Sequence, residues 1–311
     1  MAAELSIFTV DAFTAQPFTG NPAAVVLVPG STDLPDVLQQ TIASEMNLSE
    51  TVYIRTLPDG GDFKTGCRFG IRWFTPTNEV PLCGHATLAS AAVLFFCQGN
   101  TNPTLTFESA SGPLSARRTG SGITLDFPLN PVQPFTRAAN IIKLLSGASV
   151  ITKSVWCPRY LVFSQEICEP SHVQDVQYSP ATKKLVLRLQ DNLSRDYLES
   201  LSPDTRSLQA SDVSGDVKGV IVTLKGTPEA ADYDFLSRYF APWNGIPEDP
   251  VTGSAHTVLA DYWRGQLGKS SFKARQCSPR GGDLGVAIVG DRVELTGSAC
   301  VVMRGHLLNV T

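Results

Sequence analysis

The sequence predicts an α+β protein made of two related halves, each with a β-rich sheet around one buried apolar helix. Three observations lead to this prediction. The chain has 311 residues, more than the roughly 100 to 200 residues of one ordinary domain. Short runs of β-branched and aromatic residues recur between Gly, Pro, Asn and Asp. Finally, one pattern of residues occurs twice in the same order.

The first third of the chain is rich in predicted strands and also contains two predicted helices. One helix is predicted over residues 36–46 from the spacing of its apolar residues, and one over 84–96 from its Ala and Leu content. Because the second is apolar on nearly all sides, it should be a buried central helix. The strands are predicted over residues 6–10, 23–28, 50–55, 104–108 and 122–127.

Three prolines between residues 128 and 134 interrupt regular structure and separate two predicted domains, 1–130 and 131–311. In the second domain, helices are predicted over 135–145 and 253–267. The last predicted strand of the chain is a candidate to return to the first half. The strands of the second domain are predicted over residues 184–189, 219–224, 285–289, 292–295 and 300–304.

The internal repeat joins an aromatic strand, a turn and a helix that starts at glycine. Arg-Trp-Phe-Thr-Pro at 72–76 matches Arg-Tyr-Phe-Ala-Pro at 238–242. A few residues later, Glu-Val-Pro-Leu-Cys-Gly-His-Ala at 79–86 matches Glu-Asp-Pro-Val-Thr-Gly-Ser-Ala at 248–255. In the second copy, a short insertion lengthens the segment between the first and the second of these motifs. So many matches in one order favour an origin by duplication.

The two glycine-started helices are candidates to bind an anion. The first backbone N–H groups of a helix lack intrahelical partners and carry partial positive charge, which favours a carboxylate by up to about 2 kcal/mol. Gly84, Gly253 and the adjacent Ser254 are therefore predicted to bind the substrate. The alternative is that both glycines only allow tight turns and close packing. Their occurrence in both halves favours binding.

Where the two copies differ, the residues can perform acid–base chemistry. His85 corresponds to Ser254, and Asp249 corresponds to Val80. An acid and an imidazole on opposite sides of a ligand suit general acid–base catalysis. The alternatives are that Asp249 caps the following turn and that His85 is an ordinary buried histidine. His256, inside its helix, is assigned to packing or to the surface.

Composition narrows the partners to small molecules. The net charge is −4 and the basic residues do not cluster, so neither nucleic acid nor a membrane surface is expected as a partner. The N-terminus does not resemble a signal peptide, which predicts a cytoplasmic protein. The seven cysteines contain no Cys-x-x-Cys pair, and they predict neither a disulfide framework nor a metal site.

Five motifs in this order make the chain resemble the PhzF phenazine-biosynthesis family over most of its length. Within that family it is most similar to the vertebrate members that include MAWD-binding proteins, and the similarity is weakest between residues 146 and 169. The resemblance implies a diaminopimelate-epimerase-like fold, in which each half is a barrel-like mixed sheet around a central helix. The motifs are Val-Asp-Ala-Phe at 10–13, Phe-Thr-Gly-Asn-Pro at 18–22, Asn-Leu-Ser-Glu-Thr at 47–51, Cys-Gly-His-Ala-Thr at 83–87 and the second repeat motif at 248–255.

The resemblance implies an isomerase that needs no cofactor and acts on a small carboxylate-bearing metabolite. Glu50 matches the family's general base, which moves a carbon-bound proton to another carbon of the same substrate. His85, Asp249 and Ser254 match residues that line the ligand. The local pattern around Glu50 is that of an ordinary surface glutamate, so the resemblance alone singles it out. It also implies a homodimer.

Two other functions are also compatible with the sequence. One is a racemase or epimerase, because relatives on the same fold use two thiols, one before the glycine of each helix. Here Cys83 precedes Gly84 but Thr252 precedes Gly253, and a threonine hydroxyl is not a base near pH 7. Cys83 is then a packing residue or a bystander. The other alternative is a non-catalytic protein that binds a WD-repeat partner, as the resemblance to MAWD-binding proteins implies.

Overall fold

A computed structural model describes residues 4–134, 166–226 and 232–310, and the helix predicted over 135–145 lies outside the described residues. Its α-helices are α1 (Asp36–Met46), α2 (Gly84–Ala92), α3 (Arg195–Ser200), α4 (Thr205–Ala210) and α5 (Gly253–Leu267). The strands before residue 135 are β1 (Leu5–Ala12), β2 (Asn21–Val28), β3 (Glu50–Thr56), β4 (Arg68–Phe74), β5 (Glu79–Val80), β6 (Thr104–Ser109), β7 (Gly112–Thr119), β8 (Gly122–Pro128) and β9 (Gln133–Pro134). The later strands are β10 (Val173–Ser179), β11 (Lys184–Leu189), β12 (Gly219–Lys225), β13 (Phe235–Phe240), β14 (Ser271–Gln276), β15 (Gly282–Val289), β16 (Arg292–Gly297) and β17 (Ala299–Leu307).

The strands and helices predicted within the described residues are confirmed, with one difference in α2. The predicted helix 84–96 is α-helical only over Gly84–Ala92 and continues as a wider π-helical turn over Val93–Cys97. Val93, Leu94 and Phe95 are all buried there, and the wider turn lets these adjacent large side chains enter the core. As predicted, α2 is central, because every residue after its first glycine is buried.

The two halves repeat one order of strand pairing. In the first half β1 is antiparallel to β2, β2 is parallel to β3, and β3 is antiparallel to β4. β4 then pairs parallel with β6, which continues antiparallel through β7 and β8. In the second half β10 to β13 repeat the first set of pairings, and β13 to β16 repeat the second. Each central helix follows the matching strand, β4 or β13.

Both halves also share an ion pair, which supports the internal repeat. Arg72 binds Glu79 with its Nε 2.8 Å from Oε1, and Arg238 binds Glu248 with the same atoms 2.7 Å apart. In each pair a second guanidinium nitrogen reaches the other carboxylate oxygen, so both contacts are bidentate. The matched residues of the two motifs therefore make the same interaction in three dimensions.

Strands at the end of each half cross to the other half. β8 pairs with β16, and β17 pairs with β1. The last strand of the chain thus does return to the first half. The largest apolar core contains residues of both halves, including Leu88 of α2 and Val258 of α5. The domain boundary near residue 130 stays a prediction. None of the described helices is long and apolar enough to cross a membrane.

Candidate active site

The two central helices begin next to each other. A Cβ atom placed on Gly84 would lie 3.6 Å from the Cα of Gly253, and the converse distance is also 3.6 Å. Both glycines and Ser254 line a cavity of about 790 Å³. The structure therefore brings together the three residues predicted to bind the substrate. Their free backbone N–H groups and the positive ends of the two helix dipoles lie at one place.

Glu50 and His85 meet at this cavity. Glu50 is the first residue of β3, His85 lies in the first turn of α2, and they are only 8% and 5% exposed. The Oε2 atom of Glu50 is 3.1 Å from the Nε2 atom of His85. The two atoms are not aligned for a hydrogen bond, and neither has another partner in the described part of the chain. Since buried polar atoms are normally paired, both are available to a ligand. The assignment of Glu50 to the surface, made from its local pattern, is wrong.

Asn21 fixes the imidazole of His85. Its Nδ2 atom donates to Oδ1 of Asp249 at 2.8 Å and to the carbonyl of Val251 at 2.9 Å, and it lies 3.1 Å from Nδ1 of His85. An amide nitrogen has only two hydrogens, and Asp249 and Val251 accept both, so Asn21 positions the imidazole through its contact with Nδ1. Asn21 was not predicted as a site residue, although a fully buried amide at the start of an apolar strand is an unusual choice.

Cys83 lies on the other side of the imidazole. Its sulfur is 3.4 Å from Nδ1 of His85. Burial alone would lower the pKa of His85, but the Cys83 sulfur and the Glu50 carboxylate raise it well above its ordinary value. Burial, together with Glu50, raises the pKa of Cys83 itself to about 11. Cys83 is therefore a neutral thiol near pH 7, and a neutral thiol is a poor base.

Glu50, Cys83 and His85 also form the kind of residue group that can hold a metal ion. One ligand atom from each lies within 4.8 Å of the other two. However, Glu50 approaches Nε2 of the imidazole and Cys83 approaches Nδ1. The two contacts therefore use different ring nitrogens, whereas a single ion would bind only one of them. The arrangement suits proton transfer beside His85 better than coordination of one ion.

Asp249 lines the same cavity and is held by both of its carboxylate oxygens. One accepts from Asn21 and the other from the Thr252 hydroxyl at 2.5 Å. The Thr252 backbone N–H bonds instead to Oε1 of Gln276 at 2.9 Å, so Asp249 does not act as a simple backbone cap. Burial raises the pKa of Asp249 to about 6, against the lowering effect of His85 and of its two hydrogen bonds. Gln276 was not predicted, and its local sequence gives no signal for this role.

Lys184 is a third residue of the site that was not predicted from the sequence. It lines the same cavity, it is 8% exposed, and its ammonium lies 5.6 Å from the centre of the Tyr239 ring. Burial lowers its pKa to about 8, although Asp249 opposes this shift. His256, in contrast, packs inside α5. It stacks on Phe235, and burial lowers its pKa to about 4.

Comparison with known proteins places the chain in a family. The chain matches the family model for phenazine biosynthesis-like protein (PhzC-PhzF) over residues 10–305. It is 50% identical over 309 residues to the phenazine biosynthesis-like domain-containing protein of Rattus norvegicus, with 98% of this chain and 99% of that protein covered. It is also 39% identical over 303 residues to an uncharacterized isomerase of Halalkalibacterium halodurans, with 97% and 98% covered.

Solved structures agree with this assignment. The PhzF-family phenazine biosynthesis protein of Enterococcus faecalis has a TM-score of 0.78 at 33% identity, with 98% of this chain and 99% of that chain covered. A hydroxyproline epimerase from Agrobacterium vitis, 12% identical, shares the fold with a TM-score of 0.56 over 100% of this chain and 95% of its own. The predicted diaminopimelate-epimerase-like α+β fold is confirmed, and the chain belongs to the phenazine biosynthesis-like (PhzC-PhzF) protein family.

Proposed function

We propose that the protein is a cofactor-independent isomerase that moves a carbon-bound proton within a small carboxylate-bearing metabolite, with Glu50 as the general base. One observation carries the proposal. The buried Glu50 carboxylate lies 3.1 Å from Nε2 of His85, at a cavity where two helices begin. The description of a bacterial relative as an isomerase supports the class of reaction.

In this proposal the helix starts orient the substrate. Its carboxylate accepts hydrogen bonds from the free N–H groups near Gly84 and Gly253, and each helix end favours the anion by up to about 2 kcal/mol. Ser254, exposed at the cavity, adds a hydroxyl donor. These interactions position the reacting carbon but supply little of the chemistry. Holding the carbon against the base is itself a large part of catalysis.

Glu50 then transfers the proton in two steps. Its Oε2 atom removes a proton from the substrate, so that a C–H bond breaks, an O–H bond forms and the electron pair stays delocalised on the substrate. The imidazole of His85 lies 3.1 Å from this atom and is placed to stabilise the negative charge that develops on the substrate. Glu50 returns the proton to a second carbon, and the carboxylate is regenerated. The proton that leaves one carbon is the proton that the second carbon receives, so the reaction needs no other reactant.

The test compares the parent protein with Glu50→Gln in D₂O, using a panel of small unsaturated carboxylic acids. Proton NMR follows the loss or migration of C–H signals, and calorimetry measures binding. We expect Glu50→Gln to slow the reaction about 10²- to 10⁴-fold, or about 3 to 5 kcal/mol of barrier, while acid affinity changes less than about 3-fold. Glu45→Gln, on the exposed surface of α1, is the matched control. The proposal fails if no acid binds and none loses or moves a proton.

The two alternatives have separate tests. A racemase would exchange the Cα proton of amino acids with deuterium, and Cys83→Ser would abolish that exchange. The raised pKa of Cys83, and the use of the Thr252 hydroxyl as a donor to Asp249, disfavour this chemistry. A WD-repeat-binding protein would keep every cellular effect in Glu50→Gln and lose it on substitution of exposed residues. That partner and the expected homodimer stay predictions.

A further inference from the structure

The repeat identifies the residue that corresponds to Glu50 in the second half. Phe74 and Phe240 occupy matching positions in the two motifs. Phe74 pairs with the residue that follows Glu50, and Phe240 pairs with the residue that follows Gly219. Gly219 therefore takes the place of Glu50. The second half has no side chain where the first half has its base.

The neighbouring strand provides a charged group instead. Glu50 pairs with Ala23 of β2, and Gly219 pairs with Lys184 of β11 in the equivalent position. A Cβ atom at Gly219 would lie 2.1 Å from the Tyr239 hydroxyl oxygen, so glycine is needed for the Tyr239 ring to fit there. That ring in turn contacts the ammonium of Lys184. The two halves thus present opposite charges to one cavity, a carboxylate from the first and an ammonium from the second.

The ammonium of Lys184 has no ion-pair partner among the residues that the structure describes, although it is buried. Asp249 attracts it, but both Asp249 oxygens already accept hydrogen bonds. Close to it along the chain, the buried Thr182 hydroxyl also lines the cavity and lacks a partner in the described residues. A buried unpaired charge is unfavourable by several kcal/mol, and an anion on the ligand would remove that penalty.

We propose that Lys184 binds a second carboxylate of the substrate, so that the substrate class is a dicarboxylate. One carboxylate lies at the helix starts near Gly84 and Gly253, and the other is held by Lys184 with help from the Thr182 hydroxyl. The substrate then spans the cavity between the two halves. This inference rests on the proposed function only for the cavity in which the substrate binds, because it requires no proton transfer by Glu50.

The test measures affinities for matched acids by calorimetry near pH 7. Glutarate and adipate are compared with pentanoate and hexanoate, which have the same chain lengths and one carboxylate fewer. We expect the parent to bind each diacid about 10-fold or more tightly than its matched monoacid, as one charge-assisted hydrogen bond would give. Lys184→Met should remove this preference and change monoacid affinity less than about 2-fold. Lys184→Arg, which keeps the charge, should retain a preference for diacids.

Lys183→Met is the matched control for Lys184→Met. Lys183 is the adjacent residue and carries the same charge, but it is exposed and its ammonium donates to the Gly215 carbonyl. This variant should bind both acids like the parent. Circular dichroism establishes that every variant is folded. The proposal is overturned if parent affinities for matched acids are equal, if Lys184→Met weakens both equally, or if no diacid binds up to about 10 mM.

Glu50→Gln separates this proposal from the proposed function. This variant should keep the preference for diacids, because Glu50 pairs with Ala23 of β2 and Lys184 pairs with Gly219 of β12. Proton transfer that depends on Glu50, without any preference for diacids, would overturn the dicarboxylate proposal alone. A preference that depends on Lys184, without proton transfer to any substrate, would overturn the isomerase proposal alone.

Discussion

Asn21 connects candidate site residues of the two halves through one amide nitrogen. It contacts Asp249, which is 228 positions away in the chain, and His85. The same nitrogen donates to the Val251 carbonyl, so one buried side chain at the start of β2 holds segments of both halves together. One residue outside the predicted site thus decides how the predicted residues are oriented.

Asp249 should make the stability of the protein depend on pH. Its pKa is raised from an ordinary 3.8 to about 6, because burial disfavours the charged carboxylate. The stability that the neutral acid contributes is full below the unfolded pKa and is lost as pH rises through the folded pKa. Asp249→Asn cannot ionise, so we expect its stability relative to the parent to increase by about 1 to 3 kcal/mol between pH 4 and pH 7.

Urea unfolding at several pH values between 4 and 7 measures this difference. Asp33→Asn, an exposed carboxylate, controls for the general effect of removing a negative charge. A constant gap between Asp249→Asn and the parent over this range would contradict the prediction.

Lys184 should lower the stability of the free protein. Burial moves its pKa from an ordinary 10.5 to about 8, so the penalty for the buried ammonium is full below pH 8 and disappears as pH approaches 10.5. Lys184→Met should therefore be about 1 to 3 kcal/mol more stable than the parent at pH 7, and this advantage should shrink by pH 10. Thermal and urea unfolding measure it, with Lys183→Met as control. A loss of stability in Lys184→Met at pH 7 would count against an unpaired ammonium.

At the scale of elements, the two copies of the strand-to-helix motif differ in how deeply their arginine is buried. Arg238 of β13 has a side chain only 6% exposed, and besides Glu248 it donates to the carbonyls of Leu198, Glu199 and Leu201. Its counterpart Arg72 of β4 is 36% exposed. α3, which supplies two of those carbonyls, packs against β13, whereas in the first half α1 packs against β4 and its exposed Asp36 binds Arg72.

We expect Arg238→Met to lower the free energy of unfolding by about 3 to 5 kcal/mol, because it leaves a partly buried carboxylate and several carbonyls without partners. Arg72→Met, at the matching position, should lower it by less than about 1 kcal/mol. Urea denaturation of both variants makes the comparison within one protein. Equal effects of the two substitutions would show that burial does not determine the strength of this pair.

At the scale of the whole molecule, the crossed strands should make the two halves unfold together. β17 closes the edge of the first half at β1, and β8 of the first half pairs with β16 of the second, so neither half keeps all of its pairings alone. The main apolar core also extends across both halves. We expect one urea transition, at the same midpoint by fluorescence and by circular dichroism, with β1 and β17 losing protection from hydrogen exchange together. Two separate transitions would contradict this.

Much of the fold could be predicted because its signals are local. The bounds of α1 and α5 follow from apolar spacing and from glycine at the helix start, and the strand at Lys184–Leu189 from its run of apolar residues. Lys184 could not be assigned to the site, because a lysine at the start of a strand is usually at the surface. Its burial depends on Tyr239 and Gly219, which lie on other strands.

The sequence by itself determined the strands, the central helices and the internal repeat, because each depends on residues close together in the chain. Its motifs also predicted Glu50, His85 and Asp249 by resemblance. Only the tertiary structure decided which of these side chains contact one another and which charged groups lie in the same cavity. Glu50 reaches His85, and Asn21 reaches Asp249, through contacts between distant segments. Such contacts depend on how distant strands and the two helix starts pack together, and no local pattern encodes that geometry.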